Sequence, residues 1–422
     1  MEKCTEAACT GARRRPADAS RAAWARRATP RHLQRASPRT DRPSSSATSV
    51  SSRMALRVIT TAAVASCACA SAVENGWGWP PTEAQSHDGA TDPAARTPGS
   101  WVARTDTNCP HAAGSLHVLS EPPRLLVAGG TAQLSGKAVM NQCTETLEYP
   151  LGTSGNWKEG SPLLLPRSAH AGAVVNSTAY VFGGIIEKDP GAPPSEAPSP
   201  TSTAEMLGEG GWLPAPPLPA PRTGVRATSL PDGRALIVGG FSGAPPSWRY
   251  LNTTLFFDGS HYTPGPELPC PAGPSPMCGL SNLGVQECAG SVFAVGGSGL
   301  MPAFPTVWRL PLAPRPAAWL PAPNLSAPLT WTATACVRTP SGGGTLYVIG
   351  GFGGTFEPTS AVAKLELGSG GVPTASGWTQ ATPLPGIRAQ IEGAAVNESV
   401  FAIGGLGVGI TGTAVDVLST AR

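Results

Sequence analysis

The chain has 422 residues, of which only 14% are charged, and it contains 51 glycines and 46 prolines. This composition favours many short strands joined by turns, because glycine adopts positive φ and proline fixes turn geometry. The net charge of +3 conceals an asymmetry, since residues 1–53 carry +8 and the chain beyond residue 72 carries −6. An acidic main part without a Lys/Arg cluster argues against a nucleic-acid partner.

The N-terminal residues divide into an extension, a signal peptide and a linker. Residues 1–53 are rich in Arg, Ser and Ala without apolar periodicity. They predict a basic disordered extension, either an over-extended N-terminus or a targeting segment. From Met54, residues 54–72 have the plan of a secretory signal peptide, with Arg57, an apolar stretch and Ala70-Ser71-Ala72. Residues 73–98 are predicted as a linker, and secretion leaves no membrane span in the mature chain.

Two further features agree with a secretory route. Asn-x-Ser/Thr acceptors for glycosylation occur at Asn176, Asn252, Asn324 and Asn397. Six cysteines follow residue 72, an even number that is compatible with three disulfides in an oxidising compartment. We expect Cys109 to pair with Cys143 and Cys270 with Cys278. Cys288 and Cys336 lie in apolar strands, where the alternative is a pair of buried thiols.

One short pattern, a few apolar residues followed by Gly-Gly, recurs along the chain. The first glycines of the six copies are Gly129, Gly183, Gly239, Gly296, Gly350 and Gly404. Their spacings are 54, 56, 57, 54 and 54 residues. Six copies at a nearly fixed period predict a repeat architecture that spans most of the chain.

Each repeat predicts four short strands. An alternating small and apolar run such as 169–175 is strand one, and the Gly-Gly run is strand two. A third strand such as 362–367 follows, and a Trp with a Leu-Pro phrase closes the unit, with Tyr262 in place of Trp once. Four strands without helical periodicity are typical of a β-propeller blade. We therefore predict one all-β domain over residues 99–422, a six-bladed β-propeller.

The repeat also predicts how the ring closes. The last copy has a third strand around Thr413–Leu418 and no fourth, whereas Trp101 precedes the first Gly-Gly without strands of its own. We expect the N-terminal strand at Trp101 to complete the last blade, which leaves no exposed sheet edge. Removal of residues 99–106 is then expected to lower stability.

The Gly-Gly, aromatic and Trp pattern resembles the kelch repeat over about residues 100–422. The resemblance implies a kelch-type propeller, in which Gly-Gly permits positive φ and close backbone approach. It also implies that each Trp packs between adjacent blades and that its N–H finds a backbone acceptor.

Polar residues near the first strands are the candidate ligand-binding residues. The phrase before strand one contains Arg167, Arg222 and Arg388, with Leu280 and Leu329 in blades that lack Arg. Three arginines at one level of a ring can bind a carboxylate, and the alternative is that each pairs with a neighbouring blade. His170 and Gln390 lie near the same level.

Three charges interrupt the small and apolar pattern of the first strands. Arg226, Glu287 and Glu392 occupy positions that are mostly small or apolar elsewhere. Such charges are costly unless they are paired or face a wet channel. They are the candidate catalytic residues if they form one cluster in the channel, and the alternative is three separately satisfied polar groups.

The stretch from Gly377 to Gly405 resembles bacterial sialic acid mutarotases, which are secreted six-bladed kelch propellers. That resemblance implies an acid/base residue and an Arg that binds the sugar carboxylate, which Glu287 or Glu392 with Arg222, Arg226 or Arg388 would supply. Copper radical oxidases carry similar propellers, but the scattered histidines offer no paired-ligand motif. We expect no metal and no cofactor.

Together these features predict a secreted or luminal monomer that binds a protein or glycan at the mouth of the central channel. The alternative is a carbohydrate isomerase that interconverts the anomers of N-acetylneuraminate. Fold alone does not decide between binding and catalysis.

Overall fold

The computed structural model describes residues 99–104, 107, 111–133, 140–152, 156–186, 199–243, 249–270, 279–299, 303–314, 317–407 and 412–420. Within them the chain is a β-propeller of antiparallel sheets, and a three-residue 3-10 turn, η1 (Ser369–Gly371), is the only helical element. The predicted extension, signal peptide and linker lie outside the described residues. No helix in the described ranges is long and apolar enough to cross a membrane.

Most of the strands are short, between two and six residues long. The first ten in chain order are β1 (Trp101–Ala103), β2 (Ser115–Ser120), β3 (Pro123–Ala128), β4 (Thr131–Gln133), β5 (Met140–Gln142), β6 (Thr146–Pro150), β7 (Lys158–Glu159), β8 (Arg167–Ser168), β9 (Ala171–Val175) and β10 (Thr178–Phe182). The next ten are β11 (Ile185–Ile186), β12 (Ser199–Pro200), β13 (Ala204–Gly208), β14 (Gly211–Ala215), β15 (Arg226–Ser229), β16 (Ala235–Val238), β17 (Phe241–Ser242), β18 (Arg249–Tyr250), β19 (Thr254–Phe257) and β20 (Tyr262–Pro264). The remainder are β21 (Gly284–Cys288), β22 (Ser291–Val295), β23 (Val307–Pro311), β24 (Leu320–Ala322), β25 (Ala333–Arg338), β26 (Gly344–Ile349), β27 (Val362–Leu367), β28 (Thr379–Gln380), β29 (Glu392–Val396), β30 (Ser399–Ile403) and β31 (Val415–Ser419).

Six of the sheets have four strands each. In order along the chain they are sheet 1 (β2-β3-β6-β7), sheet 2 (β9-β10-β13-β14), sheet 3 (β15-β16-β19-β20), sheet 4 (β21-β22-β23-β24), sheet 5 (β25-β26-β27-β28) and sheet 6 (β29-β30-β31-β1). The first strands contact one another in a cycle, β2 to β9, β15, β21, β25, β29 and back to β2. Three short sheets, β4-β5, β8-β11-β12 and β17-β18, are formed by the chain segments that connect the strands of the four-stranded sheets. In the second of these short sheets, Ser199–Pro200 pairs with Ile185–Ile186.

Local sequence explains why the first two strands of a sheet form a hairpin. In β9 buried and half-buried residues alternate, as expected for a strand whose two faces meet different surroundings. Asn176 and Ser177 join it to β10 with φ of 46° and 67°. Positive φ at both central residues is the turn geometry that matches strand twist.

The repeated Gly-Gly pairs join neighbouring sheets. The N–H of each second glycine donates to a backbone carbonyl that precedes the first strand of the next sheet, at 2.7–2.8 Å. The series runs from Gly130 to Arg167 and ends with Gly405 donating to His111, which returns it to sheet 1. At Gly239 φ is 61°, and a Cβ there would lie 2.3 Å from the Leu280 carbonyl oxygen. Only glycine permits this approach.

Four of the closing aromatic residues hydrogen-bond across consecutive sheets, whereas the buried N–H of Trp212 has no hydrogen-bond partner among the described residues, contrary to the expectation for each Trp. Tyr262 Oη donates to the Pro216 carbonyl at 2.7 Å, and the indole N–H groups of Trp319 and Trp378 donate to Pro266 and Pro323 at 3.0 and 2.7 Å. Trp101 in β1 makes the same type of bond, to the Thr382 carbonyl at 2.8 Å. β1 pairs with β31, so Trp101 is opposite Leu418. Trp101 thus occupies in sheet 6 the place that Trp378 occupies in sheet 5.

Trp101→Ala is expected to lower the free energy of unfolding by about 3 kcal/mol, because it removes a packed indole and its hydrogen bond. Urea unfolding of the variant and of Val102→Thr, whose side chain is exposed in the same strand, measures the effect. Equal stability of the two variants would contradict a structural role for the N-terminal strand.

The structure corrects one expectation for the cysteines. Cys288 in β21 and Cys336 in β25 form a disulfide with a Cα–Cα distance of 5.5 Å, and are not a pair of buried thiols. The two strands are neighbours in the cycle, so the bond links sheets 4 and 5. Cys143 is fully buried and Cys270 is disulfide-bonded, while their predicted partners, Cys109 and Cys278, lie outside the described residues.

Candidate functional site

The first strands of the six sheets surround a cavity of about 660 Å³. Residues of the β9–β10 and β15–β16 hairpin turns, including Asn176 and Gly233, lie at its mouth. A volume of several hundred cubic ångströms suits a small-molecule ligand.

A layer of backbone hydrogen bonds forms the floor of the cavity. The six residues of this layer all have positive φ, between 52° and 58°, and are Ala113, Ala169, Gly224, Asn282, Trp331 and Gln390. Each N–H donates to the carbonyl of the residue in the preceding sheet at 2.7–3.1 Å, which gives a closed cycle. Trp331 is buried and packs against Ala113 and Ala169. The cavity is therefore closed at the Gly-Gly end and open at the hairpin end.

The register of the first strands defines one level just above this floor. In every sheet one residue pairs with the residue immediately before the Gly-Gly, and these residues are Ser115, Ala171, Arg226, Gly284, Ala333 and Glu392. Three of them are polar, and all three line the cavity. β15 and β29 are three steps apart in the cycle of six. Arg226 and Glu392, two of the three charges that interrupt the repeat, therefore face each other across the cavity.

Arg226 and Glu392 have unusual electrostatic surroundings. Burial raises the pKa of Glu392 to about 8, and the positive charge of Arg226 offsets only part of that rise. Oε1 of Glu392 has no hydrogen-bond partner among the described residues. The Arg226 guanidinium lies 5.4 Å from the centroid of the Trp331 ring, a cation–π distance. Near neutral pH the pair is thus a mostly protonated acid opposite a charged guanidinium.

A chain of three polar side chains lies beside this pair. His170 Nε2 is 3.0 Å from Ser115 Oγ, and Ser115 Oγ is 3.1 Å from His117 Nε2. All three residues are buried and line the cavity. Burial lowers the pKa of His117 to about 4 and that of His170 well below its ordinary value. Both imidazoles are therefore neutral at pH 7.

The three arginines before the first strands do not face the cavity. The Arg167 guanidinium donates to the Gly183 carbonyl at 2.8 Å and to Glu205 Oε1 at 2.6 Å. Arg222 bonds Gly239 and Thr253, and Arg388 bonds Gly404, Ala414 and Asp416. The alternative of a pairing with a neighbouring blade is wrong, because each guanidinium bonds residues in or next to the second and third strands of its own sheet. Each therefore holds the Gly-Gly turn of its own sheet.

Glu287 and Gln390 are also placed away from Arg226 and Glu392. The Glu287 side chain is 1% exposed, forms an ion pair with Arg338 and accepts a hydrogen bond from the Gly290 N–H at 2.9 Å. It follows Gly284 by three residues, about 10 Å along the strand. Gln390 belongs to the floor layer. The expected three-charge cluster is thus reduced to Arg226 and Glu392, with His170 beside them.

The four glycosylation acceptors occupy different surroundings. Asn176 and Asn397 are exposed in first hairpin turns, Asn324 is exposed after β24, and Asn252 is half-buried and donates to Glu267. The described residues contain no group of three metal-ligating side chains.

Glu392→Gln is expected to change how stability depends on pH. The folded protein holds the Glu392 proton more tightly than the unfolded chain, so the stability present below pH 4.5 is lost as pH rises through about 8. The glutamine of the variant stays neutral. Its free energy of unfolding, relative to that of the original protein, should therefore rise by on the order of 2 kcal/mol between pH 5 and pH 9, a figure reduced to allow for screening by water in the channel. Urea unfolding at both pH values tests this. A pH-independent difference would show that Glu392 does not titrate in this range.

Sequence reasoning missed Ser115, His117 and Trp331. Ser115 and His117 interrupt a first strand at positions that are Ala or Gly in several other sheets, and this departure from the repeat was the available signal. Trp331 gives no such signal. Its place in the floor depends on its positive φ and on its packing against Ala113 and Ala169, which precede the first strands of sheets 1 and 2.

No protein-family model matches the chain. Among solved structures, the one titled "Structure of YjhT" is similar to this chain with a TM-score of 0.57 and 16% sequence identity. The similarity covers 76% of this chain and 97% of that one. At this identity the likeness concerns the β-propeller fold alone.

Proposed function

We propose that the six four-stranded sheets are the blades of one kelch-type ring, and that β1 closes it. Two series of hydrogen bonds support this, one through the Gly-Gly pairs and one through the floor layer, because each returns to sheet 1 after six steps. The pairing of Trp101 with Leu418 gives the last blade its fourth strand.

We further propose that the central cavity binds an acidic sugar, either free or at the end of a glycan. The observation that carries this is Arg226 opposite Glu392 at the floor of a closed cavity. Because the Glu392 pKa is about 8, the carboxyl is mostly neutral near pH 7 and leaves Arg226 without a full counter-charge. A ligand carboxylate would supply it, and a guanidinium binds carboxylates bidentately.

The same geometry favours a glycan over a protein ligand. Arg226 and Glu392 lie just above the floor, whereas the mouth is formed by short hairpin turns. A folded protein surface would not reach the floor, but one terminal sugar would fit a cavity of about 660 Å³.

A glycan array tests the binding proposal. We expect retention on glycans with a terminal carboxylate sugar and none on their neutral counterparts. Equal retention on both, or none on either, would contradict the proposal.

A second candidate function is anomer interconversion of N-acetylneuraminate. The favouring observation is again Glu392, since a carboxyl that titrates near pH 8 is suited to proton donation at neutral pH. Exchange NMR with the purified protein tests it. Acceleration that is lost in Glu392→Gln is expected, and no acceleration at micromolar protein would remove the isomerase and leave the binding module.

We also propose secretion through a signal peptide at residues 54–72. The disulfide between Cys288 and Cys336 supports an oxidising compartment. Expression from Met54 in eukaryotic cells should place the protein in the medium, and retention inside the cell would argue against it. Mass spectrometry of the secreted protein would then show which of the four acceptor asparagines carry glycans.

A further inference from the structure

Ser115 occupies an unusual position at the cavity wall. Its hydroxyl lies between two imidazole nitrogens, His170 Nε2 at 3.0 Å and His117 Nε2 at 3.1 Å. A hydroxyl carries one proton, so it can donate to only one of the two rings. The other ring must present an N–H to the hydroxyl oxygen.

Packing of the ring does not require these polar groups. The residues equivalent to Ser115 in sheets 2, 4 and 5 are Ala171, Gly284 and Ala333, so three of the six first strands have a small residue at this level. Burial of two imidazoles and a hydroxyl is costly unless they satisfy one another. In this protein the hydroxyl and both imidazoles are nevertheless buried close to the level of Arg226 and Glu392, where a ligand would lie.

The cycle of sheets places Ser115 next to Glu392. Sheets 6 and 1 are neighbours, because β29 contacts β2, and Ser115 and Glu392 have the same register position in them. His170 reaches Ser115 from sheet 2. The wall therefore presents an acid, a hydroxyl and an imidazole in consecutive sheets, with Arg226 opposite.

We infer that Ser115 is a proton-transfer residue of this cavity and that His170 acts through it as the base. The inference rests on the second candidate function, the exchange of sugar anomers. Ser115 is the catalytic residue, since it lines the cavity in which the sugar would lie, and His170 is a positioning residue that receives the proton.

The proposed step opens the sugar ring and conserves every proton. Ser115 Oγ takes the proton of the anomeric hydroxyl as its own proton passes to His170 Nε2. Glu392 donates its carboxyl proton to the ring oxygen, the bond from the anomeric carbon to that oxygen breaks, and a carbonyl forms. Closure on the other carbonyl face reverses each transfer and returns the proton to Glu392, so no further reactant is needed.

The surroundings of His170 define the expected pH dependence. Burial, and then the charges of Arg167, His117 and Arg226, disfavour its protonated form, whereas the Ala128 carbonyl favours it. The imidazole is a free base at neutral pH, and Glu392 facing Arg226 is still largely protonated. Exchange should therefore be fastest between the two titrations, with an acidic limb from His170 and an alkaline limb near pH 8.

Exchange NMR with N-acetylneuraminate, together with calorimetric binding of the same sugar, tests the inference. Ser115→Ala should lower the exchange rate about 100-fold, a much larger effect than the loss of one hydrogen bond has on binding. His170→Gln keeps an acceptor for the Ser115 hydroxyl, and should lose the acidic limb and retain the alkaline one. His117→Gln changes the other ring that hydrogen-bonds Ser115 Oγ, at 3.1 Å, and should lower the rate less than His170→Gln does. If Ser115→Ala does not fold, His170→Gln carries the test.

Exchange that is unchanged in Ser115→Ala or His170→Gln would overturn the inference. A loss with His117→Gln that exceeds the loss with His170→Gln would overturn the assignment of the base. If the original protein binds the sugar without accelerating exchange, the inference fails and the binding proposal stands. If it does not bind the sugar, the binding proposal itself fails.

Discussion

Arg388→Met should lower the free energy of unfolding by about 3–5 kcal/mol, the usual cost of removing one partner from a buried ion pair. The Arg388 guanidinium is fully buried, and its Nη2 is 2.5 Å from Asp416 Oδ2. Its other amino group bonds the Gly404 and Ala414 carbonyls. The substitution leaves a buried carboxylate and two carbonyls without this donor.

Arg222→Met is the matched control for this effect. Arg222 occupies the same position in sheet 3, but the residue equivalent to Asp416 there is Leu255, which has the same register before the Gly-Gly. Burial lowers the pKa of Arg222 to about 10. We expect a loss of only about 1–2 kcal/mol, because no acid is left behind. Urea unfolding of both variants makes the comparison, and equal losses would contradict the ion-pair explanation.

A double substitution sharpens the same test. Arg388→Met with Asp416→Leu reproduces the apolar partner found in sheet 3, and it should recover most of the stability lost in the single variant. No recovery would mean that the carbonyl contacts of Arg388, and not its ion pair, hold the turn.

Replacement of the disulfide by Cys288→Ala/Cys336→Ala should lower the free energy of unfolding by about 4 kcal/mol. The two cysteines are 48 residues apart, and a cross-link that closes a loop of this length restricts the unfolded chain to that extent. Cys336 also lines the cavity, so the variant further tests whether the bond holds the cavity wall.

Thermal and urea unfolding in oxidising buffer measure the effect of this pair. Cys336→Ala alone controls for the change of side-chain volume, and it should lose as much as the pair. A pair variant as stable as the original protein would show that the disulfide adds nothing.

Much of the fold was predictable because the repeated Gly-Gly pairs are required by the backbone geometry between neighbouring sheets. Gly239 and its equivalents must be glycine where a neighbouring carbonyl lies within 3 Å of a Cβ position, so their spacing revealed the sheets. The strand predicted at 362–367 matches β27. Trp101 matched the closing aromatic residues because it makes the same hydrogen bond.

The candidate site was predictable only in part. Arg226 and Glu392 stood out because charges in first strands are rare, but Glu287 stood out equally. The sequence does not tell which of these side chains shares a level with another across the ring. Arg167 was predicted to bind a ligand because its partner, Glu205, lies 38 positions further along the chain, and the sequence does not show that the two residues meet. The disulfide was missed for the same reason, since Cys288 and Cys336 belong to different repeats.

Titration calorimetry with N-acetylneuraminate tests the cavity site most directly. The original protein should bind the sugar saturably, and Arg226→Met should bind it about 10- to 100-fold more weakly, as expected for the loss of a charged hydrogen bond. Arg222→Met, which removes a buried guanidinium outside the cavity, should bind it normally. Equal affinity in all three proteins, or no binding by any, would contradict the site.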